Sequence, residues 1–324
     1  MHWMVLHRPV ELALLIGKNG QLGDDLQHML PRLGDVVATD REQLDLSRPA
    51  EIRKLIRELH PTIIVNAAAY TAVDQAEKDE ALARAINSEA PVIMAAEAKK
   101  IGAVLIHHST DYAFDGSKNL PYDEYDQPNP INVYGMTKLA GEQGIRNSGV
   151  DHLISRTAWE YSRRGKNFHL TILRLATQRE ELRIVHDQIG APTWSREIAS
   201  ATAKTLEQIY KRTDGTEAWS EHGGTYHMAA GGMTNWHEFT EAILEEAAQM
   251  PNTAAWFRAG TNGKELLTRG VIPIATSEYP TAARRPAYSV LSNSKFNRVF
   301  GIQLPDWRKQ LKQVFSLNNA ADRL

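Results

Sequence analysis

Five short, unbroken apolar runs set between helical stretches constrain this chain more than any other feature. They lie at 12–16, 35–40, 62–66, 103–108 and 152–156. A strand covered on both faces loses the alternation of inward and outward residues and reads as a continuous apolar run. Such runs separated by helices are the pattern of parallel crossover units. Helical patterns fill the gaps at 22–30 and 78–100, the second with a break near Pro91. A third runs to about residue 59 behind Ser47 as N-cap, with Pro49 and Glu51 in its first turn. The first half is therefore an α/β unit built on an open parallel sheet.

Composition narrows the function. Of 324 residues, 37 are Lys or Arg and 39 are Asp or Glu, a net charge of −2. No basic excess points to nucleic acid. There is no cysteine, which excludes disulfides, thiolate metal sites, iron–sulfur clusters and a thiol nucleophile, and fits a cytoplasmic protein. No stretch approaches the roughly 20 apolar residues of a membrane span. The start lacks the order of a signal peptide, because His7, Arg8 and Glu11 interrupt it. Residues 1–10 read as a tail or a ragged start to the first strand.

The pattern changes after about residue 160. A helix is expected over 165–180, a strand at 182–185, and an amphipathic helix over 195–211 with Ala199, Ala203, Leu206 and Ile209 near one face, broken at Thr213-Asp214-Gly215. The expected division is a nucleotide-binding domain over 11–160, with about 182–212 returning to it, and a smaller C-terminal substrate-binding region over 161–181 and 213–316.

Between the first run and the first helix stands Gly17-Lys18-Asn19-Gly20-Gln21-Leu22-Gly23. Glycines in a strand–turn–helix give a tight turn, let backbone approach a pyrophosphate, and let the helix pack close to the strand. The phosphate then meets the free N–H groups at the positive helix end. The class is thus a Rossmann-like, doubly wound parallel sheet, with Gly17, Gly20, Gln21, Leu22 and Gly23 as cofactor contacts. The second run ends at Asp40, placed to bond the ribose hydroxyls of NADH, and Arg41 follows, placed to hold the 2′-phosphate of NADPH. Both cofactors stay open. Asp45-Leu46 suits either the adenine edge or a helix cap.

Tyr134 and Lys138 stand four residues apart, one helical turn on one face. A nearby ammonium is expected to lower the pKa of the phenol, which can pass a proton to a carbonyl oxygen while hydride reaches its carbon. The fourth run exits through His107-His108-Ser109-Thr110-Asp111, and ligands of such sheets gather at the carboxyl ends of strands. His107 and His108 are neighbours on a strand and point to opposite faces, so they do not form a metal pair.

These residues carry a resemblance. GKNGQLG at 17–23, IIVNAAAYTAVDQAE at 63–77, HHSTDYAFDG at 107–116, NVYGMTKLAGE at 132–142, RTAW at 156–159 and DQIGAPT at 187–193 together resemble the extended short-chain dehydrogenase/reductase superfamily, most closely its sugar-nucleotide reductases of dTDP-L-rhamnose synthesis. The resemblance implies reduction of the 4-keto group of a dTDP-linked deoxysugar by NADPH or NADH. It implies Tyr134 as proton donor, Lys138 as its partner and ligand of the nicotinamide ribose, and Thr110 on the reacting oxygen. Thr110, Asp111 and Trp159 would face the substrate. Ala69, Tyr70, Thr71 and His108 would line the cofactor cleft; Tyr70 stands where a His is frequent. Some members are dimers bridged by magnesium, and Asp25 and Glu197 fall near two of the carboxylate positions, with no third. The competing readings are a non-catalytic regulatory relative and another sugar-nucleotide enzyme, an epimerase or dehydratase. Retention of Thr110, Tyr134 and Lys138 favours an enzyme, and the single acid Asp111 after Thr110 disfavours a dehydratase.

Overall fold

The computed structural model describes residues 10–212, 216–250 and 254–316. The Thr213-Asp214-Gly215 break and residues 1–9 lie outside them. The first half runs β1 (Val10–Ile16), α1 (Gln21–Met29), β2 (Gly34–Thr39), α2 (Pro49–Leu59), β3 (Ile63–Asn66), α3 (Val73–Ala76), α4 (Glu80–Arg84), α5 (Ala90–Ile101), β4 (Val104–Thr110), α6 (Val133–Ser148) and β5 (His152–Thr157). The second half runs β6 (Glu160–Tyr161), α7 (Phe168–Ala176), β7 (Glu181–Val185), β8 (Ile189–Gly190), β9 (Thr193–Trp194), α8 (Ser195–Arg212), α9 (Thr216–His222), β10 (Gly224–His227), β11 (Thr234–Asn235), α10 (Trp236–Ala248), α11 (Ala255–Thr261), β12 (Gly270–Ile274), α12 (Ser294–Phe300) and α13 (Trp307–Ser316).

All five apolar runs are strands of one sheet, ordered β10-β5-β4-β3-β1-β2, with every pairing parallel. Alternation along each strand sorts the side chains into two cores. Leu14, Ile16, Ile64, Leu105 and Ile154 pack against Ile52 and Ile56 of α2, Met94 and Ala98 of α5, and Ile145 of α6. Ala13, Leu15, Val65, Ile106 and Leu153 face the other way, onto Leu22 and Leu26 of α1, Ile198 and Leu206 of α8, and Phe296 of α12. Each large apolar side chain so buried contributes about 1.5–3 kcal/mol, which is why the runs are apolar up to their carboxyl ends, where buried His107, His108, Ser155 and Arg156 find polar partners. The chain steps from β2 on one side of β1 to β3 on the other, so a crevice opens between β1 and β3 at their carboxyl ends.

The second half forms its own core of Trp194, Phe239, Trp256, Phe257, Trp307 and Phe315 around Ile172 and Leu173 of α7, which accounts for its richness in tryptophan. At two places the structure departs from the expected division. Within 182–212, α8 does pack with α1, but β7 pairs with β12 in a separate two-stranded sheet. Within 213–316, β10 joins the main sheet beside β5. A four-residue strand of Gly, Thr, Tyr and His carries too little apolar pattern to be read in advance.

Three local expectations also change. The helix near Pro91 is not broken: Ala85–Glu89 forms a wide π-turn leading straight into α5, and Pro91 sits in the first turn of α5, where it needs no amide hydrogen. Arg48 rather than Ser47 occupies the cap position of α2; the Ser47 hydroxyl donates to Asp45 Oδ1 at 2.7 Å. The helix expected over 165–180 is shorter, because Asn167 caps α7 by accepting from the Leu170 N–H. Among the described residues, no helix is long and apolar enough to cross a membrane.

Two glycines of the turn are required by space. Gly17 has φ +96°, and a Cβ there would lie 2.9 Å from the Ala68 nitrogen. A Cβ on Gly23 would lie 2.0 Å from the Gly17 carbonyl oxygen. Gly23→Ala is therefore expected to force α1 away from β1 and to cost about 1–3 kcal/mol. A shift in the urea unfolding midpoint checks it, and an unshifted midpoint would mean that the helix adjusts freely.

Candidate functional site

Helix α1 begins at the crevice with no capping side chain: its N-cap is Gly20, and the N–H groups of Gln21, Leu22 and Gly23 open the helix. At Gly20 a Cβ would meet only the Gly17 carbonyl oxygen, at 3.2 Å, so backbone is accessible from the crevice side. This cradle suits the pyrophosphate of a dinucleotide. Asp40 ends β2 and is more engaged than the sequence suggested. It accepts from Asn19 Nδ2 at 3.0 Å and from the N–H groups of Glu42 and Gln43, and pairs with Lys18 at 3.4 Å. Backbone hydrogen bonds and Lys18 hold its carboxyl below the usual range against a desolvation that pushes up. Lys18, a second cation at this strand end, was not singled out from sequence. Arg41 is exposed. Asp45 accepts from the N–H and hydroxyl of Ser47, and Leu46 is buried in the α2–α5 core.

At the exit of β3, Ala69 and Tyr70 are half-buried and Thr71 is exposed. The Tyr70 hydroxyl donates to Asp79 Oδ2 at 3.1 Å. Its backbone is held by Asn87, which accepts from the Tyr70 N–H at 2.8 Å and donates to the Tyr70 carbonyl and to Thr137 Oγ1. Asn87 is presented by the π-turn, a feature no hydrophobic pattern signals.

The end of β4 is buried. Thr110 Oγ1 accepts from the Tyr112 N–H at 3.1 Å and donates to Asp111 Oδ1 at 3.1 Å, and it is hydrogen-bonded to the phenol of Tyr134. Burial pushes the Asp111 carboxyl up to about 6, against the neighbouring Ser289 and Thr110 hydroxyls; no group stands in hydrogen-bond geometry to its Oδ2. His108 Nδ1 pairs with Ser155 Oγ at 2.7 Å, while its buried Nε2 has none. His107 turns the other way, to Asn66, as neighbours on a strand must.

Helix α6 supplies the other half. Asn132 Oδ1 caps it by accepting from the Gly135 N–H at 2.8 Å. Tyr134 stands in its first turn, edge-on to Tyr112 with centroids 5.5 Å apart. Lys138, one turn on, is 2% exposed and donates to the His108 carbonyl at 2.6 Å. Burial lowers Lys138 to about 8, with Glu142 and Glu160 pushing back. The expectation that Lys138 pulls the phenol down is corrected. Burial raises Tyr134 above its ordinary value, Thr110 opposes that, and Asp111, Tyr112 and Glu160 add to it. The physical reason is burial: the phenolate would lose its water, and the nearby acids Asp111 and Glu160 add to that cost. A phenol so placed keeps its proton until an oxyanion forms beside it, which suits a donor.

Beyond β5, Trp159 adopts φ +45° and stacks on Trp236 at 3.4 Å. Gly190 makes room for it, since a Cβ there would lie 2.3 Å from the Trp159 ring. Trp236, at the start of α10, was not anticipated. Neither was Glu160, a carboxyl raised to about 7 by burial and by Asp25, and opposed by the Leu22 N–H and Lys138. Asp25 accepts from Ser195 Oγ at 2.6 Å, and Glu197 stands in the first turn of α8. Among the described residues no group of three or more His, Asp or Glu is arranged for a metal ion.

Glu142 anchors the set. It is fully buried and accepts from Arg156 at 2.6 Å, Ser109 at 2.5 Å and Arg146 at 3.1 Å; Arg156 and the hydrogen bonds hold its carboxyl below the ordinary value against desolvation. Its stabilisation is present above the ordinary glutamate pKa and is lost as pH falls through the lowered one. Glu142→Gln leaves Arg156 uncompensated and is expected to cost about 3–5 kcal/mol at pH 7. The difference from wild type should shrink well below pH ~4.3, where wild type loses its own charge. Denaturant titrations at both pH values measure this; a difference independent of pH would contradict it.

Known proteins resemble this chain over most of its length. A family profile described as the RmlD substrate binding domain matches residues 12–319. The dTDP-4-dehydrorhamnose reductase of Burkholderia thailandensis is 46% identical over 295 residues, covering 91% of this chain and 95% of the relative. That of Escherichia coli K12 is 39% identical over 307 residues, covering 94% and 96%. Among solved structures, dTDP-4-dehydrorhamnose reductase from Bacillus anthracis in complex with NADP is 34% identical and superposes with a TM-score of 0.81, covering 94% of this chain and 98% of that one.

Proposed function

The chain belongs to the family of the RmlD substrate binding domain, and from that premise we propose that it reduces the 4-keto group of dTDP-4-dehydro-6-deoxy-L-mannose with a nicotinamide cofactor, giving dTDP-L-rhamnose in the cytoplasm. The observation that carries this reading is the union of Thr110, Tyr134 and Lys138 at the carboxyl end of β4, beside the uncapped start of α1.

A bound NADPH or NADH supplies the hydride. The chain's residues do the rest. The N–H groups of Gln21, Leu22 and Gly23 receive the pyrophosphate, with Gly17 and Gly20 keeping the approach clear. Asp40 bonds the adenosine ribose, while Ala69, Tyr70, Thr71 and His108 line the cleft, and Asp45 stands at its rim. Lys138 holds the nicotinamide ribose. Thr110 orients the carbonyl oxygen and Tyr134 gives it a proton. Asp111, with no group in hydrogen-bond geometry to its Oδ2, and Trp159 face the sugar nucleotide. The main sheet with α1–α6 is the cofactor half, and the tryptophan-rich core supports the substrate half.

Tyr134→Phe keeps the ring packed against Tyr112 and removes the proton. Turnover is expected to fall about 10²- to 10⁴-fold with cofactor affinity retained. A variant within a few-fold of wild type in NADPH oxidation with the dTDP keto-sugar would refute the assignment.

Asp40 and Arg41 oppose each other in cofactor choice, and the Lys18 pair tempers the carboxylate that would repel a 2′-phosphate. NADPH and NADH are therefore expected to differ by about tenfold or less in kcat/KM, roughly 1.4 kcal/mol. Arg41→Ala should harm NADPH selectively and Asp40→Ala should harm NADH. A wild-type preference above about a hundredfold would show that one side chain prevails.

A further inference from the structure

Lys138 meets two groups of β4. Its nitrogen donates to the His108 carbonyl at 2.6 Å and lies 3.3 Å from His107 Nε2. Which atom carries the hydrogen in the second contact is decided on the far side of the imidazole. The Ala68 N–H can only donate, so the atom of the Asn66 side chain 3.1 Å from it is the amide oxygen. The other end of that amide, an NH2, is what meets His107 Nδ1 at 3.1 Å. Nδ1 must therefore offer a lone pair. His107 is fully buried, and desolvation, Lys138 and His108 all hold it well below its ordinary pKa, so it is neutral. A neutral imidazole with a bare Nδ1 carries its hydrogen on Nε2. That hydrogen points at Lys138.

We propose that His107 is a positioning residue for Lys138: held by Asn66 as the Nε2–H tautomer, it donates to the lysine nitrogen and favours the uncharged amine in the free enzyme. An ammonium in the same place would set N–H against N–H. The other groups that face Lys138 are Glu142 on α6 and Glu160 on β6, which favour the ammonium, and burial, which opposes it. Tyr134 lies one turn earlier on α6, and His108, beside it on β4, is itself neutral and buried. His107 adds a directed donor on the side of the amine. The hydroxyls of a nicotinamide ribose are acceptors that an ammonium can use, so cofactor uptake draws a proton onto Lys138. This rests on the reading of Lys138 as the ribose partner.

The test is the dissociation constant of NADPH, followed by its fluorescence between about pH 7 and 10, with kcat/KM over the same range. Wild type should lose affinity about tenfold per pH unit above the pKa of Lys138. His107→Gln offers an amide oxygen in place of the N–H. Asn66→Asp leaves His107 intact and reverses its tautomer, because one carboxylate oxygen accepts from the Ala68 N–H and the other from an Nδ1–H, baring Nε2 toward the lysine. Both variants should move the onset of weakening, and the basic limb of kcat/KM, upward by about one pH unit or more. An onset that stays in place or moves down in either variant overturns the proposal, as does wild-type affinity that is flat across the range. A merely structural role for His107 would lower affinity or turnover without displacing the onset. Wild-type protein that binds no nicotinamide cofactor at any pH is a different result: it overturns the proposed function itself.

Discussion

A single carboxylate deep in the protein sets the frame for Thr110, Tyr134 and Lys138. Glu142 has no access to water, and a lone charge there would cost several kcal/mol. It is kept ionised by Arg156 from β5, by Arg146 from its own helix and by the Ser109 hydroxyl from β4. Satisfying it requires β4, β5 and α6 to meet in one register. Lys138 lies one turn before Glu142 on α6, and Thr110 follows Ser109 on β4. The spacing of Thr110 and Lys138 is thus inherited from the geometry that neutralises a buried charge.

A second polar device closes the site from the far end of the chain. Asn132 caps α6 with its amide oxygen and, through its NH2, donates to the Arg284 carbonyl at 2.8 Å. Arg285 grips Asp74 of α3 with both terminal nitrogens, and the Val133 N–H donates to Glu77. The start of the helix that carries Tyr134 is therefore fastened to the segment after β3 and to the C-terminal stretch at once. Gly135 lets this happen, because a Cβ there would lie 2.2 Å from the Tyr112 carbonyl oxygen.

The strands, the glycine turn and the Tyr134–Lys138 helix were legible because each rests on a local regularity. Two-sided burial writes apolar runs, a tight turn writes glycines, and one helical turn sets a spacing of four. What stayed hidden depends on partners far away in sequence. Asn87 acts through a π-turn that no periodicity marks, and Glu160 gains its character only from Asp25 and the helix α1 that it faces. Trp236 is a stacking partner because Gly190 leaves space for Trp159. The sign of the shift on Tyr134 was misjudged for the same reason: a helical spacing reports the neighbouring lysine, but not the burial and the acids Asp111 and Glu160 that other elements bring to the phenol.

The place of β10 bears on how the protein is made. Its partner β5 is complete before any of the tryptophan-rich half has been synthesised, yet the strand that covers its outer edge lies beyond β9 and α8. During translation β5 offers a row of unpaired backbone groups to any neighbouring chain, the situation in which nascent proteins join edge to edge. β10 can reach that edge only after β9, α8 and α9 have been synthesised. The ribosome therefore leaves the main sheet unfinished until the intervening segment has been made, and the nascent chain is most exposed to self-association in that interval.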